Sequence, residues 1–205
     1  MKGMSGGKLV AIPKDIEAEK EELRELIATR ALKFGEFMLA SGQRSSYYID
    51  GKQITLHSRG LYLLARLMMG LIGDWPVEAV GGMSIGADPI AGAIAALAGA
   101  EGRCLDAFIV RKETKERGTR KQVEGPLREG ARVVVLEDVV TTGGSSLKAI
   151  EALRREVKAE VLGVAAMVDR LQGGRENLRA QGIELRSLFT IRDFGIEPPA
   201  AGADQ

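Results

Sequence analysis

The spacing of apolar residues along the chain predicts an alternation of helices and strands. Ile16, Leu23, Leu26 and Ile27 recur at near-helical intervals among charged residues, which predicts an amphipathic helix over 15–32 that ends near Gly35. The pattern further predicts a strand at 45–49, a helix at 58–72, strands near 77–80 and at 105–111, 132–136 and 161–168, and helices at 88–97 and 145–157.

Short valine-rich apolar runs dominate the predicted strands, as is typical of parallel strands that are buried on both faces. The sequence therefore predicts an α/β fold, a doubly wound sheet in a single domain over 1–205, with the core sheet at about 77–170. Asp88 followed by Pro89, and Ser145 with Ser146, are the predicted helix starts beyond two strand ends. The segment 197–205, which contains two prolines, is predicted to be a disordered tail.

Composition narrows the possible functions. With 29 basic and 28 acidic residues, the net charge of +1 offers no general attraction for nucleic acid or an anionic membrane. One cysteine, Cys104, and one histidine, His57, exclude an internal disulfide and a Cys/His zinc cluster, and His57 is predicted to be structural. The absence of an 18-residue apolar run disfavours a membrane span, and we expect a cytoplasmic protein.

The strongest chemical signal lies at 133–145, where a buried strand runs into two carboxylates, Glu137 and Asp138, and then into Thr141, Thr142, Gly143, Gly144 and Ser145. Glycines allow backbone N–H groups to approach a phosphate closely, hydroxyls add donors, and the following helix start contributes partial positive charge. The turn is therefore a candidate phosphate site.

This phosphate site differs from the common nucleotide motifs, because the chain has neither the Walker pattern nor Gly-x-Gly-x-x-Gly at this position. Carboxylates beside a phosphate would repel it unless they faced sugar hydroxyls or a metal ion. Glu137 and Asp138 thus indicate a sugar phosphate. The alternative is an acidic strand end before an ordinary strand-to-helix turn.

A second candidate is the basic run at 111–121, with six cations in eleven residues. On its own, such a run most often forms a solvated hairpin. Beside a phosphate motif, it could neutralise a departing anion and exclude water.

The segment 133–145 closely resembles the donor-binding signature of the type I phosphoribosyltransferases, which transfer the ribose of phosphoribosyl pyrophosphate. The resemblance implies that family's fold, a central mainly parallel sheet flanked by helices with a small hood from about 15–50. It also implies that Glu137 and Asp138 hold the ribose hydroxyls, that Thr141 to Ser145 bind the 5-phosphate after Val139 and Val140, and that Mg²⁺ is the cofactor. The metal would be held mainly through the donor, and through water by Glu137 or Asp138.

The basic run resembles the catalytic loop of the orotate-specific members of this family. By that resemblance Arg111, Lys112, Lys115 and Arg117 contact the pyrophosphate of the donor, Lys115 acts in catalysis with Glu137 and Asp138, and the enzyme is a homodimer with shared active sites. Arg117 is a departure, since the family usually has histidine there, and an arginine cannot relay a proton at physiological pH.

The amino-terminal segment carries a further resemblance. Leu32-Lys33-Phe34-Gly35-Glu36-Phe37 and the run 45–50 are similar to the hood of those enzymes. Two lysines that some relatives carry are replaced, one by Ala40 and one within Ser84-Ile85-Gly86, so the loop 81–89 is expected to bind pyrophosphate through backbone N–H groups.

Arg170 follows the strand at 161–168, and its guanidinium suits a planar carboxylate such as that of orotate. The family resemblance also places Thr141 near the base. Two alternatives stay open: a purine phosphoribosyltransferase, and a non-catalytic regulatory protein of the same fold.

Overall fold

The amino-terminal part of the chain forms a helix followed by a small two-stranded sheet. In the computed structural model, which describes residues 16–38, 44–113 and 121–198, α1 (Ile16–Leu26) continues through a π-helical turn (Ile27–Ala31) into β1 (Leu32–Met38). β1 pairs antiparallel with β2 (Arg44–Ile49), and these two strands form the hood. The strand expected at 45–49 is confirmed, whereas Gly35 lies inside β1 and does not end the helix.

The rest of the chain forms one mixed sheet with helices. Its elements are α2 (Lys52–Thr55), α3 (Ser58–Leu71), β3 (Ala79–Met83), α4 (Asp88–Ala100), β4 (Asp106–Val110), β5 (Val123–Glu124), β6 (Arg132–Val140), α5 (Gly144–Val157), β7 (Glu160–Asp169), α6 (Gly174–Ala180), β8 (Leu185–Thr190) and a 3-10 turn (Ile191–Phe194). The strand order is β5-β4-β3-β6-β7-β8, and every pairing is parallel except that of the edge strand β5. The predicted α/β fold with a mainly parallel sheet is confirmed.

Alternating residues of β6 supply two apolar cores, one on each face of the sheet. Val134 and Leu136 belong to the core that also contains residues of α1, α3, α4 and the hood, whereas Val133 and Val135 belong to the core under α5. This alternation is the two-residue period of a strand that is buried on both faces. It continues beyond Leu136 and decides where the next two side chains point.

Several element boundaries differ from the sequence prediction. β6 runs four residues further than 136, to Val140, and the sheet extends past 170 because β8 adds a strand at its edge. The residue before α4 is Ala87, so Asp88 is the first helical residue and not the cap, while Pro89 stands in the first turn as predicted. Ser145 and Ser146 likewise lie inside α5, which Gly143 precedes in the left-handed conformation at φ 78°.

The structural role predicted for His57 is confirmed, because its Nδ1 caps α3 by accepting a hydrogen bond from Gly60 N at 3.1 Å. Cys104 is exposed and unpaired. Within the described ranges, no helix has both the length and the apolar character needed to traverse a bilayer.

Candidate active site

The candidate site lies where the carboxyl ends of β3, β6 and β7 meet, below strand β2 of the hood. The backbone N–H of Arg170 donates to Val140 O at 2.9 Å, which places the residue after β7 beside the residue that ends β6. Ligands bind at this edge in open α/β sheets, because the loops and helix starts that follow the strands converge there. The motif at 137–145 and Arg170, far apart in sequence, are therefore neighbours.

Glu137 and Asp138 face opposite sides of the sheet. Glu137 is 6% exposed and points toward α5, where Ser146 Oγ donates to its Oε1 at 2.8 Å. Burial raises the pKa of the Glu137 carboxyl to about 8, although the hydrogen bond from Ser146 opposes this shift. Contact of Glu137 with a ribose hydroxyl stays a prediction, and the observed contact of this carboxyl is with the helix that follows the turn.

The raised pKa makes stability depend on pH in a testable direction. Since the folded carboxyl keeps its proton to about pH 8 and the unfolded one releases it near 4.5, the native state binds more protons between these values. The free energy of unfolding should therefore fall with rising pH across this window, by up to about 1.4 kcal/mol per pH unit. Glu137→Gln should flatten that slope in urea unfolding, whereas Glu151→Gln, an exposed position on α5, should keep it. Equal slopes in all three proteins would contradict the assignment.

Asp138 occupies a narrow space between two glycines. A Cβ added at Gly51 would lie 2.3 Å from Asp138 Oδ2, and one added at Gly86 would lie 2.9 Å from Oδ1. The carboxylate accepts a hydrogen bond from Val139 N at 2.8 Å, and burial raises its pKa. Lys52 follows Gly51 in the chain, and its Nζ forms an ion pair with Asp50 Oδ1 at 2.8 Å. Asp138 is thus the carboxylate of the motif that faces the hood side of the site.

A left-handed glycine shapes the turn between β6 and α5, which is the candidate phosphate site. Gly143 takes the left-handed conformation that only glycine adopts readily, and α5 begins at the next residue. From the adjacent helix α6, Asn177 Nδ2 donates to Thr142 O at 2.9 Å. The packing on this side is close, since a Cβ on Gly174 would lie 2.5 Å from Val140 Cγ1 and 2.8 Å from Thr141 O. α6 therefore supports the turn from behind.

Gly174→Ala is expected to displace this turn. The added methyl group meets backbone at Thr141, which cannot rotate away, so we expect a loss of roughly 1–3 kcal/mol in the free energy of unfolding. The same shift should raise KM for the phosphorylated substrate more than KM for the other substrate. Gly92→Ala is the control, because nothing lies within 4 Å of a Cβ at that helical position, and alanine should leave both constants unchanged. Unfolding curves and steady-state kinetics of the two variants would check this, and equal behaviour would contradict the role of α6.

Arg170 is buried, with 3% of its surface exposed, and its side chain extends toward the hood. Its Nε donates to Tyr47 Oη at 3.2 Å, and its Nη2 donates to Ser45 Oγ at 3.1 Å. The preceding residue, Asp169, faces away and contacts Leu171 N and Arg175. In the described ranges no carboxylate pairs with Arg170, so its positive charge is buried and uncompensated.

Two loops border the candidate site at the carboxyl ends of the strands. The loop after β3 carries no basic side chain between Gly81 and Pro89, and its Ser84 Oγ donates to Asp88 at 2.9 Å, so its polar contribution toward the site is its backbone. The loop after β4 begins with the exposed Arg111 and Lys112. Arg111 N donates to Gln122 O at 2.9 Å, closing the base of this loop. Lys115 and Arg117 lie outside the described residues.

The end of α5 supports the same loop base. Glu156 accepts hydrogen bonds from Gln122 N at 3.0 Å and from Val123 N at 3.1 Å. One helix therefore begins at the candidate phosphate turn and ends at the base of the loop after β4.

A buried strand that ends in carboxylates, a glycine turn that opens a helix, and a loop that starts with two cations thus meet at one edge of the sheet. The model of the phosphoribosyl transferase domain matches residues 51–184, which include every described element of the site except the hood strands.

The particular branch of the family follows from individual relatives. The chain is 47% identical to the orotate phosphoribosyltransferase of Rhodopirellula baltica, over 89% of this chain and 98% of the relative. It is 48% identical to that of Aquifex aeolicus, over 86% and 97%. A crystal structure of the Mycobacterium tuberculosis orotate phosphoribosyltransferase in complex with 5-phospho-alpha-D-ribosyl 1-diphosphate superposes with a TM-score of 0.72 at 40% identity, covering 87% of this chain and 99% of that one. The chain belongs to the orotate phosphoribosyltransferase family and has the type I phosphoribosyltransferase fold.

Sequence reasoning missed the supporting residues of the site. Ser45 and Tyr47 were expected only as part of the hood, and Gly51, Gly174 and Asn177 were not singled out. No local signal identifies these residues, because each acts on a partner that is distant in sequence.

Proposed function

We propose that this protein transfers the 5-phosphoribosyl group of phosphoribosyl pyrophosphate to orotate, producing orotidine 5′-monophosphate and pyrophosphate, a step in pyrimidine nucleotide synthesis. The observation that carries the proposal is the guanidinium of Arg170, which is buried beside the candidate phosphate turn without a carboxylate partner among the described residues. A buried cation without a counter-ion is costly, and an anionic substrate would supply the missing charge. Orotate carries a carboxylate, whereas purine bases and uracil do not.

The residues of the chain act mainly by positioning and by neutralising charge. The bond between the anomeric carbon and pyrophosphate breaks with its electron pair going to the pyrophosphate. N1 of orotate forms the new bond from the opposite face, and the proton that N1 carried is released to solvent. Thr141 to Ser145 hold the 5-phosphate, Glu137 and Asp138 hold the ribose hydroxyls, and Arg170 holds the base. Lys115, with Arg111, Lys112 and Arg117, neutralises the departing pyrophosphate.

Mg²⁺ fits this site as a partner of the donor substrate. Among the residues that the structure describes, no group of three or more His, Cys, Asp or Glu side chains could hold a metal ion by itself. Asp138 presents carboxylate oxygens toward the hood side, and it or Glu137 would hold a hard cation through water, with the donor substrate supplying most of the binding. When bound, the ion would stabilise negative charge on the leaving group.

A homodimer with shared active sites also belongs to this proposal. Phe34 and Met38 of β1 are 71% and 67% exposed, and large apolar side chains at such exposure favour burial against a second copy of the chain. We further propose that the enzyme acts in the cytoplasm.

The proposal is tested by the absorbance of orotate, which should fall when phosphoribosyl pyrophosphate and Mg²⁺ are added to the protein. Parallel assays with adenine, guanine and uracil separate the proposed reaction from that of a purine phosphoribosyltransferase. Activity with adenine or guanine alone would overturn the assignment of orotate. Binding of the donor without conversion of any base would indicate a non-catalytic protein.

A further inference from the structure

Two hood residues hold the guanidinium of Arg170, although they are far from it in sequence. Tyr47 Oη and Ser45 Oγ accept from Nε and Nη2, and the Tyr47 ring covers the guanidinium, with its centroid 4.5 Å from Arg170 Cζ. Tyr47 is 4% exposed and Arg170 is 3% exposed. The guanidinium is therefore fixed in plane and direction by two side chains of β2.

These contacts orient the cation without neutralising it. A guanidinium keeps its charge at any physiological pH, and a hydroxyl that accepts a hydrogen bond provides only a dipole. Asp169, the nearest acid in sequence, is fully buried and is paired with Arg175 at 3.3 Å. In the part of the chain that is described, the Nη1 group of Arg170 has no hydrogen-bond partner, so this side of the fork is available to a ligand.

The hydrogen-bonding direction of Ser45 is determined by the backbone. Its hydroxyl donates to Tyr47 O at 2.7 Å, and a serine has one proton to donate. Because that proton is already used, the Ser45 oxygen faces Arg170 as a hydrogen-bond acceptor. It carries no net charge, so it cannot serve as the counter-ion of the guanidinium. The two hydroxyls form a fixed cradle for the guanidinium.

We propose that Ser45 and Tyr47 are positioning residues that hold the Arg170 guanidinium in place for the substrate carboxylate, and so set the preference for an acidic over a neutral pyrimidine. This inference rests on the proposed function. A guanidinium that is held in advance loses little freedom when it forms two parallel hydrogen bonds to a carboxylate. A neutral base such as uracil gains nothing from that orientation.

The test is the substrate preference of Tyr47→Phe and of the double variant Ser45→Ala/Tyr47→Phe. Loss of one hydrogen bond to a charged group should lower kcat/KM for orotate by roughly 10-fold in the single variant, and by roughly 10²-fold in the double variant. The phenylalanine ring retains the packing on Arg170, so KM for phosphoribosyl pyrophosphate and kcat/KM for uracil should stay within about twofold of the parent values. Where uracil is not converted, its inhibition constant against orotate replaces its kcat/KM.

Tyr62→Phe is the matched control, because Tyr62 lies on α3, is 39% exposed and does not contact Arg170. It should leave the ratio of orotate to uracil unchanged. The inference is overturned if orotate and uracil weaken in equal proportion, which indicates a general effect on the fold, or if neither weakens. An unmodified protein that fails to convert orotate overturns the proposed function. Orotate titrations of the parent and of Tyr47→Phe by calorimetry then decide the inference: weaker binding of orotate by the variant supports it, and equal binding overturns it.

Discussion

Arg170→Met is expected to lower kcat/KM for orotate by roughly 10²–10³-fold, the effect of removing one partner of a buried charge pair. Methionine keeps much of the length and apolar volume of the arginine side chain but cannot bind a carboxylate. Steady-state kinetics with each substrate varied in turn would show the loss in KM for orotate, with KM for phosphoribosyl pyrophosphate little changed.

The stability of the same variant provides an independent check. Because Arg170 is buried without an ion-pair partner in the described chain, its removal should leave the ligand-free protein at least as stable as the parent, and orotate should no longer raise the midpoint of unfolding. Arg192→Met is the control, since Arg192 is exposed and pairs with Glu197. A variant that unfolds at much lower temperature would show that Arg170 serves the fold and not the substrate.

Lys115→Ala is expected to lower turnover by roughly 10²–10³-fold, the scale for loss of one preorganised electrostatic donor. The physical reason is the negative charge that develops on pyrophosphate as its bond to the ribose breaks. Because this charge is greater in the transition state than in the bound substrate, kcat should fall more than KM changes.

A suitable control for this prediction is Lys20→Ala, since Lys20 lies on α1 and contacts the ring of Phe189, away from the site. Single-turnover measurements at saturating substrates would isolate the chemical step. Turnover that matches the parent enzyme would remove Lys115 from the mechanism.

The sequence predicted those elements whose pattern is local. The strands that became β3, β4, β6 and β7 are apolar runs, and their order with α4 and α5 was read correctly. β8 is not predicted because Arg186 and Ser187 interrupt its apolar residues. In the fold, the guanidinium of Arg186 packs on Trp75, with its Cζ 4.0 Å from the ring centroid. β5 has only two residues, and α6 buries only Gly174 and Leu178, so neither shows a period.

The residues of the site divide in the same way, into those that a local sequence pattern predicts and those that it does not. The acidic strand end and glycine turn of 137–145 are contiguous, so a phosphate site could be predicted there from the residues alone. The burial of Glu137 against Ser146 depends on how α5 packs, and the contact of Tyr47 with Arg170 joins residues 123 positions apart. Such contacts exist only after the chain has folded.

The space around Asp138 has a consequence for how this sequence can vary. Gly51 has φ −55° and ψ −27°, angles that any amino acid tolerates, and Gly86 is outside the left-handed region as well. Substitution tables based on backbone angles would therefore accept alanine at both positions. In a library that randomises them and is selected for folded protein, however, we expect glycine to be recovered almost alone, unless Asp138 is replaced by a smaller residue in the same clone.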